Sequence, residues 1–150
     1  MKKPSNRNFK QILIAVDDSA FAAHAADVGI KLAKSLHAEV GFVHAFDPAV
    51  APGTAWGVTA DKASEMSERS AKHLLAAFRE RAATPSKVRE FLESGKPALK
   101  IIDAAKNWPA DLIVMGSHGR GKIQGLLLGS VSQEVLHHAS CPVLVVRAQG

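Results

Sequence analysis

The sequence predicts an α/β domain whose parallel sheet is covered by helices on both faces. Two observations lead to this fold class. Short apolar segments alternate along the chain with segments of helical periodicity, an order typical of parallel strands joined by right-handed crossovers. The apolar segments are also nearly continuous, which indicates strands that are buried on both sides.

The first strand is predicted at residues 12–16, and the first helix follows it directly. The apolar run ends at Asp17, Asp18 and Ser19, which are residue types that favour helix starts. Apolar side chains then recur at helical spacing as far as Leu36. Adjacent side chains after a buried strand diverge, so we expect one aspartate to face a crevice and the other to cap the helix.

The middle of the chain adds two strands and a long helix. Residues 39–46 are predicted as the second strand, and prolines and glycines indicate a loop over residues 47–59. Residues 60–83, rich in alanine and charged side chains, form the second predicted helix, which Pro85 ends. The third strand is predicted at residues 87–93, although the apolar residues there do not alternate cleanly.

The last third of the chain continues the alternation. A helix is predicted at residues 97–107, with proline at its first position, and a nearly all-apolar strand at residues 111–115. A glycine-rich stretch at residues 116–129 leads into a short predicted helix at residues 130–138. Residues 142–146 form the fifth predicted strand.

Composition narrows the class of protein further. The chain has 150 residues, of which 47% are hydrophobic, enough for one domain, which we place at residues 10–150. We expect residues 1–9 to form a flexible basic arm, and the scarcity of aromatic residues argues against nucleic-acid binding. The single cysteine, Cys141, and the lack of an apolar run long enough to span a membrane predict a cytoplasmic protein.

Two segments carry the polar chemistry of a ligand site. In open α/β sheets, ligands bind beyond the carboxyl ends of the strands, where the strand order reverses. Asp17 follows the first strand, while Gly116 and Gly119 follow the fourth. If these two strands flank the reversal, both segments face one crevice. Glycines at 116 and 119 would let the backbone approach a ligand without an intervening Cβ.

The helix start after the glycine-rich stretch predicts an anion site. Gly129 precedes Ser130, Val131 and Ser132, which open the fourth helix, and exposed amides at a helix start bind phosphates. The hydroxyls of Ser130 and Ser132 add donors. Positive charge comes from Arg120 and Lys122.

The residues of the glycine-rich stretch and its surroundings also allow interpretations other than a phosphate site. The glycine-rich stretch could be a surface loop without a ligand, and His118 within it could contact phosphate or face solvent. A P-loop requires a hydroxyl where Ile123 stands. No serine-hydrolase motif occurs, so no catalytic residue is assigned, and the adjacent His137 and His138 are interpreted as helix-end residues rather than as a metal site.

The glycine spacing resembles the motif of nucleotide-binding universal stress proteins. That motif has glycine, two residues, glycine, nine residues, glycine and then serine or threonine. Here Gly116, Gly119, Gly129 and Ser130 stand at this spacing. The flanking text is similar too, from I-V-M-G-S-H-G-R-G through L-L-L-G-S-V-S to C-P-V-L-V-V. The resemblance extends in element order over residues 9–147 and indicates the single-domain type.

The resemblance implies an open five-stranded sheet in the order 3-2-1-4-5, of the adenine-nucleotide alpha-hydrolase-like type. It implies binding of ATP or AMP, with any Mg²⁺ held mainly by the phosphates, in a stress-response or signalling module with little or no turnover. A slow ATPase and a nucleotide-free dimeric interaction module remain the alternatives. The resemblance also implies a homodimer that forms through the strand at residues 142–147.

Family roles carried over by position give a candidate site in three parts. The adenosine end would contact Ala15, Asp17 and Ala45. The ribose would lie against Met115 and Gly116. The phosphates would lie against the remaining candidates, which are Gly119, Arg120, Gly129, Ser130, Val131 and Ser132.

Overall fold

The computed structural model describes residues 8–47, 57, 59–82, 84, 87–119 and 125–147. Strands and helices alternate through this part of the chain, as the sequence predicts. The strands are β1 Gln11–Ala15, β2 Glu39–Phe46, β3 Arg89–Ser94, β4 Leu112–Gly116 and β5 Val143–Val146. The helices are α1 Ala20–Leu36, α2 Ala60–Arg81, α3 Pro97–Asn107 and α4 Ser130–His138.

The five strands form one parallel sheet in the order β3-β2-β1-β4-β5. The expected fold class and strand order are therefore confirmed. The chain builds outward from β1 to β2 and β3, then crosses back to place β4 on the other side of β1. The strand order reverses between β1 and β4, and this reversal determines where a crevice can open.

The sheet separates two apolar layers. Ile12 and Ile14 of β1 face the layer formed with α1 and α2, which also contains Phe42 and Phe78. Leu13 of β1 faces the opposite layer, formed with α3 and α4. Because successive strand residues point to opposite faces, a strand with cores on both sides needs a continuous apolar run.

Some predicted boundaries move because polar residues have other partners. Asp111 precedes β4 instead of beginning it, because one carboxylate oxygen accepts hydrogen bonds from the backbone N–H groups of Lys10 and Gln11 at 2.8 and 2.9 Å. Within the segment predicted as an arm, residues 1–9, Phe9 packs against the α1–α2 layer. Residues 1–7 lie outside the described part. None of the described helices is long and apolar enough to cross a membrane.

Candidate functional site

A cleft of about 620 Å³ opens at the carboxyl ends of the central strands. Its volume lies within the range of small-molecule sites. Ten of the eleven candidate residues line it: Ala15, Asp17, Ala45, Met115, Gly116, Gly119, Gly129, Ser130, Val131 and Ser132. The eleventh, Arg120, lies outside the described residues, as does Lys122.

The side chain of Asp17 is fixed at the end of β1. Its Oδ1 accepts a hydrogen bond from the backbone N–H of Ser19 at 2.8 Å. Ser19 is the N-cap of α1, and its hydroxyl accepts from the N–H of Ala22 at 3.2 Å. The expectation that one of the two aspartates caps this helix is therefore wrong, because the serine after them does so.

The side chain of His44, on β2, bonds to the residue that follows β1. Its Nδ1 lies 2.8 Å from the carbonyl oxygen of Val16, and since a carbonyl only accepts, Nδ1 carries the proton. The ring joins β2 to the residue after β1. This bond holds two walls of the cleft together.

The two glycines after β4 accommodate the protein's own atoms. An ideal Cβ on Gly119 would lie 2.7 Å from Oδ2 of Asp17. An ideal Cβ on Gly116 would lie 3.0–3.1 Å from the Cβ, carbonyl carbon and carbonyl oxygen of Phe21. The expected reason for these glycines, room for a ligand, is therefore corrected, because the carboxylate and α1 fill the space where their side chains would be.

The start of α4 offers unpaired backbone donors to the cleft. Gly129 is the N-cap, with φ −73° and ψ 164°, and no described side chain caps the helix. Gln133 is the first residue of α4 whose N–H donates within the helix, to the carbonyl oxygen of Gly129 at 3.0 Å. Helix geometry therefore leaves the amides of Ser130, Val131 and Ser132 without an intrahelical partner. Together with the positive end of the helix dipole, they form an environment suited to an anion.

Ser132 has a different role from the one expected. Its side chain is buried, and its hydroxyl donates to the carbonyl oxygens of Gly116 at 2.9 Å and Ser117 at 3.2 Å. A hydroxyl has one proton to donate. The side chain of Ser132 therefore attaches α4 to the end of β4, and only its backbone amide remains suited to a phosphate.

His118 is engaged by its own loop. Its Nε2 lies 2.8 Å from the carbonyl oxygen of Leu126, and its Nδ1 lies 3.1 Å from the hydroxyl of Ser117. The ring also lies beside Phe21, at 5.5 Å between centroids. The sequence left two roles open for this ring, contact with phosphate and exposure to solvent. In the structure the ring has a third role, because it connects two parts of the β4–α4 loop.

The sequence interpretation missed the contribution of α2. Met66, Ser67, Ser70, Ala71 and Leu74 line the cleft from this helix. Their spacing of three and four residues is that of one helical face, and this was the available signal. Such a face is indistinguishable in sequence from an ordinary core-facing one, so the pattern alone could not assign it to a ligand site.

The described charged side chains around the cleft are acidic. Asp17, Asp18 and Asp47 line it, and Arg120 and Lys122 are not described. Within the described part of the chain, favourable contacts for an anion therefore come from backbone amides at the α4 start. The carboxylates instead suit hydroxyl or amine donors on a ligand.

Comparison with known proteins decides the family. The sequence model of the Universal stress protein family matches residues 8–147. The chain belongs to the universal stress protein family. Among curated relatives, this universal stress protein is 35% identical to Universal stress protein A homolog 2 of Coxiella burnetii, over 95% of this chain and 98% of the relative.

Solved structures share the fold. The universal stress protein UspA from Lactobacillus plantarum superposes with a TM-score of 0.78 at 28% identity, covering 95% of this universal stress protein and 100% of that chain. A universal stress protein from Archaeoglobus fulgidus, solved in complex with dAMP, superposes with a TM-score of 0.62 at 24% identity, covering 93% and 98% of the two chains. The second likeness shows the shared fold.

Proposed function

We propose that this universal stress protein binds an adenine nucleotide, ATP or AMP, in the cleft between β1 and β4, with little or no turnover. One observation carries the proposal. The carboxylate of Asp17 and the unpaired amides at the start of α4 line one cleft, and Gly119 lies directly against that carboxylate. A donor-rich sugar and base can approach the first group while an anionic tail approaches the second.

The two ends of the cleft suit the two ends of a nucleotide. Asp17 Oδ2 would accept from ribose hydroxyls, with Ala15 and Ala45 against the adenosine part. Met115 and Gly116 would border the ribose. The phosphates would lie against Gly119 and Gly129 and on the free amides of Ser130, Val131 and Ser132, near Arg120, and any Mg²⁺ would be held mainly by the phosphates. The N–H of Gly129 itself donates to the carbonyl oxygen of Ser117, so Gly129 would give the phosphates room rather than a donor.

Fold-level comparison supports this ligand class. The Archaeoglobus fulgidus protein with dAMP shares the fold, so a sheet of this order can hold an adenine nucleotide. Ligands in such folds occupy the carboxyl ends of the strands at the reversal point, where the cleft of this chain lies. A fold does not determine a ligand by itself, and the proposal therefore depends on the cleft's own residues.

The internal bonds of the cleft favour binding over hydrolysis. Asp17 Oδ1 accepts from Ser19, the ring of His118 is bonded within its loop, and the Ser132 hydroxyl donates to β4. The His118 ring and the Ser132 hydroxyl are thus held by protein partners, and Asp17 keeps only Oδ2 for a ligand. We therefore propose a cytoplasmic stress-response or signalling module that changes its loop or its assembly on binding, rather than a slow ATPase.

Removal of one backbone donor tests the phosphate site. Pro is tolerated at the first position of a helix, and the extended Gly129 before it suits a following proline. Ser130→Pro therefore removes the amide proton and the hydroxyl while keeping α4, and Ser130→Ala removes only the hydroxyl. We expect ATP affinity to fall about tenfold in the proline variant and less in the alanine variant, because the first loses two donors to charged phosphate oxygens and the second loses one.

The measurements are nucleotide titration by calorimetry and mass analysis of co-purified ligand. Wild-type protein should carry or bind AMP or ATP, and its melting temperature should rise with nucleotide. The absence of any thermal shift at millimolar nucleotide would leave the nucleotide-free interaction module. Steady phosphate release from ATP that the proline variant loses would instead support the slow ATPase.

A further inference from the structure

The loop between β4 and α4 is closed on itself by a small set of bonds. The backbone N–H of Gly129 donates to the carbonyl oxygen of Ser117 at 2.7 Å, and the hydroxyl of Ser132 reaches the same oxygen at 3.2 Å. His118 adds the third connection, from Nε2 to the carbonyl oxygen of Leu126 at 2.8 Å. The start and the end of the loop are thereby held side by side.

Among these connections, the bond from His118 alone reaches the return arm of the loop before α4. Leu126 lies eight residues further along the chain, whereas the other two bonds end at the helix start itself. Because Nε2 donates to a carbonyl oxygen, Nδ1 of the neutral ring accepts from the Ser117 hydroxyl, 3.1 Å away. The ring also packs against Phe21 of α1. The imidazole therefore connects β4, the returning loop and α1.

We propose that His118 is a positioning residue for the phosphate end of the cleft, an inference that rests on the proposed function. With both ring nitrogens bonded inside the loop, His118 acts on the ligand through the backbone. It keeps the loop closed, so that Gly119 stays against Asp17 and the α4 amides stay aimed at one anion position. Preorganised donors of this kind bind more tightly because the bound geometry is already present.

Two amide substitutions separate the two bonds of the ring. His118→Gln places a side-chain NH₂ where Nε2 stands and can keep the bond to Leu126. His118→Asn places it where Nδ1 stands, keeps the contact with Ser117 and is too short to reach Leu126. The pair has matched chemistry, so a difference between the variants reports the loop-closing bond and not the loss of histidine.

The nucleotide experiment measures dissociation constants for ATP, AMP and adenosine by calorimetry. We expect His118→Asn to weaken ATP and AMP about fivefold, the size of one net hydrogen bond, and to leave adenosine within twofold. His118→Gln should stay close to wild type for all three ligands. Equal losses in both variants, an equal loss for adenosine, or no loss in His118→Asn would overturn the proposal.

A second readout needs no ligand. Amide hydrogen exchange at Gly129, whose N–H bonds to Ser117 across the loop, should be faster in ligand-free His118→Asn than in wild type or His118→Gln. Equal exchange in all three proteins would show that His118 does not close the loop. If wild-type protein binds no nucleotide, the proposed function fails, and this exchange measurement still decides whether the ring closes the loop.

Discussion

Asp17 and Gly119 are fitted to each other at the mouth of the cleft. The carboxylate is held on one side by the Ser19 amide and meets the glycine backbone on the other. Gly119 does not have a positive φ, so glycine is not needed there for its backbone conformation. It is needed because a side chain would collide with the carboxylate of Asp17. This pair links the end of β1 to the loop after β4 at the level of single atoms.

Gly119→Ala is therefore expected to displace the carboxylate of Asp17. The new Cβ would lie 2.7 Å from Oδ2, and rotation of the carboxylate would break its bond to Ser19. We expect a loss of about 1–2 kcal/mol in the free energy of unfolding, measured with urea. Asp17→Ala removes the obstacle, so in the double variant the effect of Gly119→Ala should nearly disappear.

The double-mutant cycle supplies the control. A coupling energy of about 1–2 kcal/mol between the two positions is expected, within the range for residues in direct contact. Additive losses from Gly119→Ala and Asp17→Ala would mean that the glycine is required for another reason.

The sequence pattern identifies which residues line the cleft, but it does not show why each of these residue types is needed there. The spacing of Gly116, Gly119 and Gly129 identifies the loop, and all three line the cleft. A glycine that makes room for Phe21 or Asp17 has the same sequence signature as one that makes room for a ligand. The hydroxyl of Ser132 posed the same difficulty, because its partners are backbone carbonyls that no pattern of side chains reveals.

A buried hydroxyl helps to dock helix α4 to the end of β4. Ser132 donates to two carbonyl oxygens there, and the side chain is only 2% exposed. Val135 buries the next turn of the same helix. The direction in which the α4 amides point is therefore determined by this hydroxyl, by the bond from the Gly129 N–H to Ser117, and by apolar packing.

Ser132→Ala is expected to lower the free energy of unfolding by about 1–2 kcal/mol, because a buried carbonyl loses a donor. Ser130→Ala is the matched control, since Ser130 is exposed at the same helix start and gains a similar helix propensity. Urea unfolding of both variants measures the difference. Equal stability in the two variants would show that the hydroxyl does not hold the helix.

Strands that are buried on both faces are easier to predict from the sequence than strands that are partly exposed. Strands β1 and β4, buried on both faces, appear as continuous apolar runs and were predicted within one residue. Strand β3 lies at an edge of the sheet and is partly exposed, so its apolar signal is weak and its predicted bounds were shifted. The strand order depends on contacts between distant segments, and only the family resemblance supplied it.

Strand β5 lies at the other edge of the sheet from β3, where it pairs with one described strand, β4. An open strand edge is a template for pairing with another chain, and Leu144 at its centre is 36% exposed. We therefore propose that two copies associate through residues 142–147.

Leu144→Lys should convert that dimer into a monomer, because a charge in the strand would be buried between the copies. Leu36→Lys is the control, since Leu36 is 42% exposed at the end of α1 and lies beside Gln11 and Glu39, at the starts of β1 and β2. Size-exclusion chromatography with light scattering gives the mass of each protein. A monomeric wild type, or a dimer that survives in Leu144→Lys, would contradict the assembly.

The pairing of β1 with β4 joins segments that are far apart in sequence. The carboxylate of Asp111 accepts hydrogen bonds from the backbone N–H groups of Lys10 and Gln11, which lie about a hundred residues earlier in the chain. While the nascent chain leaves the ribosome, β1 therefore lacks its second neighbour until residues 112–116 have been synthesised. Distant pairings form slowly, so we expect the cleft to form only after β4 has joined β1, when the first strand becomes central.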